Sequence, residues 1–300
     1  MNSRWLPALL ALCLMLPVFG VRADDGGNGQ LTEKQKEYIA WAKKFISGLH
    51  PQHGKVELPG GMATLQVPDD FYYLPPDDAN KVLTEAWGNP GGSKTLGMLF
   101  PSDMTPLNKD AWGVVIRYSD DGYVDDKDAK DINYNDLLKK MQEEAKEANK
   151  QRVKAGYEAV TLVGWAAQPY YDSVTHKLHW AKDLKFAGED EDTLNYNIRV
   201  LGRKGYLSMN FVASMHQLPE IEQKLDSVLG MASFNDGYRY EQFKPNYDKI
   251  AAYGIGGLVA GKLLAKAGFF AVALVLLKKF GVILVAAIGG LLAKFRRKSS

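Results

Sequence analysis

The sequence predicts an α+β fold: a mostly antiparallel sheet covered by about three helices, followed by a C-terminal membrane helix or helical hairpin. Three observations predict it. Strand-type runs follow one another late in the chain with short turns between them. Helical patterns intervene without alternating strictly with the strands. Two apolar stretches bracket a polar middle.

The first apolar stretch is Leu6–Val18, behind Arg4. It has the length of a secretory h-region and falls short of the ~20 residues that a membrane-spanning helix needs. Val21-Arg22-Ala23 offers a cleavage site, so 1–23 reads as a signal peptide and Asp24 as the new N-terminus; an uncleaved N-terminal anchor is the alternative. The single cysteine, Cys13, follows Leu12, where a lipid-attachment signal needs a small residue. After cleavage no cysteine remains, which excludes disulfides and thiol chemistry.

Residues 24–248 form the exported domain, long enough for a core of its own. Thr32 and Gln35 predict a capping box, with a helix to about Leu49 whose stripe is Tyr38, Ile39, Ala42, Phe45 and Ile46. Lys55–Leu58 and Met62–Val67, split by Pro59-Gly60-Gly61, predict a hairpin. Asp77–Trp87 reads as a helix stopped by Gly88-Asn89-Pro90. Leu96–Phe100 and Trp112–Tyr118 are strand runs, and Leu137–Ala155 is a helix rich in Lys, Glu, Gln and Ala. Strands follow at Val160–Ala167, Leu178–Leu184, Leu194–Leu201 and Tyr206–Ala213, with Arg203-Lys204-Gly205 turning the last pair. A helix over Leu218–Leu229 and a strand over Met231–Phe234 close the domain. The aromatic segment Asp236–Lys249 reads as an extended connector.

Residues 249–300 form the anchor. Charge separates it from the domain: 24–248 holds all 35 acidic residues and 26 of the 37 basic ones, a net −9, whereas 249–300 holds nine basic residues and no acid. Such asymmetry points the basic end at a membrane and argues against nucleic acid as a partner of the acidic domain. Ile250–Gly261, Ala267–Leu277 and Phe280–Ala293 are apolar runs divided by lysines. A single span ending at Lys278-Lys279 and a hairpin turning there both avoid a lysine at mid-bilayer. Gly257, Gly261 and Ala265 share one helical face that would allow close packing on a second membrane protein or a second copy.

For chemistry, Asp121, Asp125 and Asp126 are the metal-ligand candidates of an acidic stretch that runs to Asp131, but the spacing lacks the glycine of a calcium loop. His176 and His179 point to opposite faces of a strand, and His50 and His53 flank Pro51 at a helix end. No nucleophile-elbow, zincin, phosphate-loop or dinucleotide motif occurs, so no catalytic residue and no cofactor is expected. A carboxylate pair, such as Asp172 with a neighbour, could serve a hydrolase, and Trp165, Tyr170, Tyr171 and Trp180 could line a ligand groove.

The chain resembles an uncharacterised family of bacterial predicted membrane-anchored proteins, classed as a domain of unknown function. The resemblance lies in LPGGMATLQVP (58–68), DDGYVDD (120–126), GWAAQPYYD (164–172), HKLHWA (176–181), NYNIRVLGRKG (195–205) and AAYGIGGLVAGKL (251–263). It implies a signal peptide, a periplasmic-type domain and a C-terminal membrane segment, and it brings no activity with it. The expectation is therefore a bacterial inner-membrane protein whose main domain is extracytoplasmic. Its partner is the bilayer, and its role is a non-enzymatic binding module or, alternatively, a tethered hydrolase using carboxylates.

Overall fold

The computed structural model describes residues 31–89, 94–154 and 158–261. The expected signal peptide and all of the expected anchor beyond residue 261 lie outside them. No helix among the described residues is long and apolar enough to cross a membrane. These residues form two units, 31–124 with 133–251 and 125–132 with 252–261.

The first unit opens with α1 (Glu33–Ser47), whose capping box is formed as expected: Gln35 N–H donates to Thr32 Oγ1 and Thr32 N–H to Gln35 Oε1. Strands β1 (Gly54–Glu57) and β2 (Ala63–Val67) make the predicted hairpin, with Gly60 and Gly61 at positive φ in its turn. Next come β3 (Phe71–Leu74) and α2 (Pro76–Lys81). The helix then widens into a π-helical turn, Val82–Ala86, where Trp87 N–H reaches Val82 O at 2.9 Å. The remaining elements are β4 (Gly97–Pro101), β5 (Gly113–Ser119), α3 (Tyr134–Lys154), β6 (Val160–Asp172), β7 (Lys177–Phe186), β8 (Thr193–Gly202), β9 (Gly205–Ser214), α4 (Leu218–Met231) and β10 (Ala232–Phe234).

The strands build two antiparallel sheets rather than one. Seven strands run in the order β3-β4-β5-β9-β8-β7-β6, and β1-β2-β10 form a separate sheet. The long-range pairing of β10 with β2 decides this: Ala232, Ser233 and Phe234 face Leu65, Thr64 and Ala63. Asn235 locks the pairing by accepting from Thr64 Oγ1 and donating to Gly61 O. A hairpin carries no record of a third strand about 170 residues later.

Strand β3 was not anticipated. Phe-Tyr-Tyr-Leu lies between Asp69-Asp70 and Pro75-Pro76, and three of its four residues are buried, so it shows no alternation. The stripe expected for α1 also differs. Only Phe45 is buried, while Tyr38 and Ile39 are 56% and 37% exposed.

Directly paired residues share a sheet face. One face of the large sheet carries Phe71, Val114, Met209, Phe211, Tyr196 and Ile198, and packs with α4 and the small sheet into the main core. The opposite face has a second core at its β3–β4–β5 end, where Phe45, Val82 and Leu83 meet Leu74, Met98 and Phe100. At the other edge α3 covers β6. Asn149 brackets Val160 with two 2.9 Å bonds, and Gln142 donates to the carbonyls of Leu162 and Val163. These amides satisfy edge groups that would otherwise invite another strand.

In the second unit α5 (Ile255–Ala260) begins at Gly254.

Candidate functional site

The acidic stretch serves the backbone. Asp125 accepts from the Lys127 N–H at 3.0 Å and from its Nζ at 2.8 Å, and this ammonium bond holds the Asp125 carboxyl below the usual carboxylate range. Asp128 accepts from the N–H groups of Ile255 and Gly256 at 2.9 and 3.0 Å, so it caps α5 from a distant segment. A Cβ on Gly254 would lie 2.4 Å from that carboxylate. Asp121 and Asp126 are each engaged by neighbouring groups. Among the described residues no three His, Cys, Asp or Glu side chains are placed to hold a metal ion. Gly257 lies in α5 against Tyr253, whose Cβ would be 2.6 Å from an added Cβ, and Gly261 ends that helix at φ +90°. Ala265 lies outside the described residues.

The histidines separate. His50 binds Asp78 Oδ2 through its backbone N–H and through Nδ1, at 2.7 and 3.0 Å, and Lys81 adds a third bond to this buried carboxylate. His53 lines an apolar cavity of about 250 Å³ with Ile46, Leu49, Tyr72 and Met104, and no carboxylate borders it. His176 meets the Tyr171 hydroxyl and His179 that of Tyr196. Asp172 is occupied in the β6–β7 turn, accepting from the Val174 N–H and the Thr175 hydroxyl. A carboxylate pair does exist, at residues that sequence reasoning did not name. Asp183 and Asp192 lie side by side, and burial followed by the charge of Asp192 pushes the Asp183 carboxyl up.

A cationic polar band is the richest concentration of binding groups. Register puts Trp180 beside Asn197 and Asn210, Lys182 beside Asn195, and Arg199 beside Ser208 and Arg117, all on the face opposite α4. Arg199 Nη1 donates to Asn210 Oδ1 at 2.7 Å, and its guanidinium lies 5.0 Å over the Trp180 ring. Asn197 Nδ2 donates to Asn195. The Trp180 indole N–H is buried without an acceptor, and an unmet buried donor is costly. Of the aromatic candidates, Trp165 and Tyr171 share this face with Trp180, whereas Tyr170 pairs with His179 on the other. Sequence reasoning missed the band because lysine, arginine and three asparagines at alternate strand positions look like an ordinary solvated face.

Burial, and then the Arg199 charge, lower the Lys182 pKa from 10.5 to about 8. Between those values the unfolded chain holds the proton and the folded protein does not, so the unfolded state binds more protons and stability rises with pH. Urea midpoints taken from pH 8 to 10 are expected to climb in the wild type and to climb less in Lys182→Met. Parallel curves would remove the buried ammonium from this account.

The chain leaves the first unit at a second organised place. Residues 236–249 do not run extended; they fold back through a 3₁₀ turn at Tyr240–Gln242. The cause is an ion pair with the β8–β9 turn. Arg203 meets Asp248 through two bonds of 2.7 and 2.9 Å and holds that carboxyl below its usual range. The Tyr123 ring stacks on Tyr240 at 4.5 Å and on Phe243 at 3.8 Å. Its backbone brackets the exit: Tyr123 N–H donates to Lys249 O and Ala251 N–H to Tyr123 O, both at 2.8 Å.

A family model described as protein of unknown function (DUF2167) matches residues 50–289. The chain belongs to this family. Of the blocks that carry the resemblance noted above, all begin within the DUF2167 match, and the polar band and the Tyr123 exit lie inside it. No curated protein matches the chain. Among solved structures it is similar to cyanobacterial PsbP (CyanoP) from Synechocystis sp. PCC 6803, at 7% identity and a TM-score of 0.33 over 62% of this chain and 92% of the other. Nothing about function follows from a similarity at that level.

Proposed function

We propose that this protein is a membrane-tethered module of the bacterial cell envelope that binds an anionic ligand on the polar band of its large sheet, without chemical turnover. The observation that carries the binding reading is the gathering of the Lys182 ammonium and the Arg199 guanidinium with Asn195, Asn197 and Asn210 on one sheet face, Arg199 lying over the Trp180 ring. Such a set of donors fits carboxylate or phosphate oxygens. The tether is supported by the acid-free, largely apolar segment after residue 249; the chain enters it from Lys249 and Ala251, which are held to Tyr123 by backbone hydrogen bonds.

The Asp183–Asp192 pair favours a second reading, a tethered hydrolase in which one carboxyl donates a proton and the other accepts one. Ester turnover abolished by Asp183→Asn would favour it.

Two measurements test the main reading. Reporter fusions after Asp248, Lys279 and Ser300 should give an extracytoplasmic signal at Asp248. A cytoplasmic signal at Ser300 then specifies one span; an extracytoplasmic one with Lys279 inside specifies the hairpin. A cytoplasmic signal at Asp248 overturns the tether. Titration of the full chain with inorganic phosphate and with citrate should then show binding that Lys182→Gln weakens roughly tenfold, the size expected for one charged hydrogen bond. Binding of neither anion, or equal binding by the variant, would overturn the ligand assignment.

A further inference from the structure

Helix α1 is the lightly packed helix of the first unit among the described residues. Its capping box starts it independently of the rest of the chain, and only its last turn packs, through buried Phe45 and partly buried Ile46. Upstream of that turn Tyr38, Ile39 and Trp41 stand 56%, 37% and 37% exposed. At 100° per residue, Trp41, Phe45, Tyr38, Ala42, Ile46 and Ile39 occupy an arc of about 160°; Lys36, Lys43 and Lys44 lie outside it, while Lys34 and Gln35 of the first turn fall within it. Rings line the arc as a ladder, Tyr38 to Trp41 at 5.6 Å and Trp41 to Phe45 at 5.2 Å. A helix of this length is marginal in water without a surface to bury its stripe.

We infer that α1 is an interfacial helix that lies in the headgroup layer of an anionic bilayer, its exposed Tyr38, Ile39 and Trp41 toward the acyl chains and Lys36, Lys43 and Lys44 toward lipid phosphates. The inference rests on the tether proposed above, which brings the domain to a membrane. Charge complementarity selects the occupant. The helix carries four lysines against two glutamates, in a domain that is otherwise strongly acidic. The aromatic chemistry agrees: the Tyr38 hydroxyl and the Trp41 N–H have no protein partner among the described residues. Amphipathic rings with free polar tips suit a layer that is apolar on one side and wet on the other.

The test uses the full chain with Cys13→Ser and a nitroxide spin label at Trp41→Cys. It is reconstituted in vesicles of phosphatidylethanolamine with phosphatidylglycerol and, separately, of phosphatidylcholine alone. In the anionic vesicles the label should become accessible to oxygen and shielded from a water-soluble nickel chelate, whereas a label at Lys36→Cys stays aqueous. Replacing Lys36, Lys43 and Lys44 by glutamine should cut the lipid-embedded population by roughly tenfold or more. Co-flotation with the vesicles reports the tether separately. A chain that floats while its Trp41 label stays aqueous overturns this inference and leaves the tether standing. A label shielded from both reagents means that a second copy covers the face, which also overturns it. A chain that does not float overturns the tether and this inference with it.

Discussion

Gly205→Ala is expected to cost on the order of 4 kcal/mol, a large part of the stability of an ordinary domain, because strain and overpacking act together there. Gly205 opens β9 after a two-residue turn in which neither Arg203 nor Lys204 takes a positive φ, so the reversal of the strand falls on the glycine, at φ +156°. A Cβ there would meet the carbonyl oxygen of Ser119 at 1.8 Å. That oxygen belongs to β5, the strand that pairs with β9 at the centre of the large sheet, and it cannot withdraw without opening the ladder. Gly188→Ala is the control. Its φ is +94° but nothing lies within 4 Å of the new methyl, so it should lose only ~1–2 kcal/mol from backbone strain. Urea midpoints of the two variants measure the difference, and equal losses would mean that the close approach to β5 contributes nothing.

Trp112→Ala is expected to lose ~3–5 kcal/mol by emptying the middle of the main core. The side chain is fully buried between Phe71 of β3 and Phe211 of β9, at ring separations of 6.0 and 5.7 Å. Its indole N–H also reaches Glu220 of α4 at 2.9 Å. One residue thus ties an edge strand, a central strand and the covering helix. Trp112→Phe keeps most of the ring and frees a glutamate that water can solvate, so it should cost far less. Unfolding followed by far-UV circular dichroism separates the two, and a loss below about 1 kcal/mol in the alanine variant would refute the central position assigned here.

The helices and most strands were legible because their signals are local. Thr32 and Gln35 sit at capping-box spacing, and the box is formed. Leu194–Leu201 and Tyr206–Ala213 alternate cleanly because one face of each strand enters the core, and both lie within their observed strands. Strand β3 was hidden for the complementary reason, since a four-residue strand buried on both faces has no period to read. The stripe of α1 was recognised as apolar from its spacing, but spacing cannot say whether anything covers it. The candidate sites are less legible, because their groups come from distant segments. Asp125, a ligand candidate by its charge, belongs to a local turn with Lys127, whereas Asp128 of the same stretch caps a helix more than 120 residues away.

By itself the sequence determined the helices, most of the strands and the hairpin turns, because each depends on residues within a turn or two of one another, and it determined by composition alone the division of charge between residues 24–248 and 249–300. Only the tertiary structure decided what required distant partners. It separated β1-β2-β10 from the large sheet, gathered Trp180, Lys182 and Arg199 on one face, and brought Asp248 back to Arg203. The physical reason is register: once Ile198 and Met209 are drawn into the core, every alternate residue of β7, β8 and β9 must turn the other way. A polar band whose members are scattered from Arg117 to Asn210 then exists only as a consequence of the pairing.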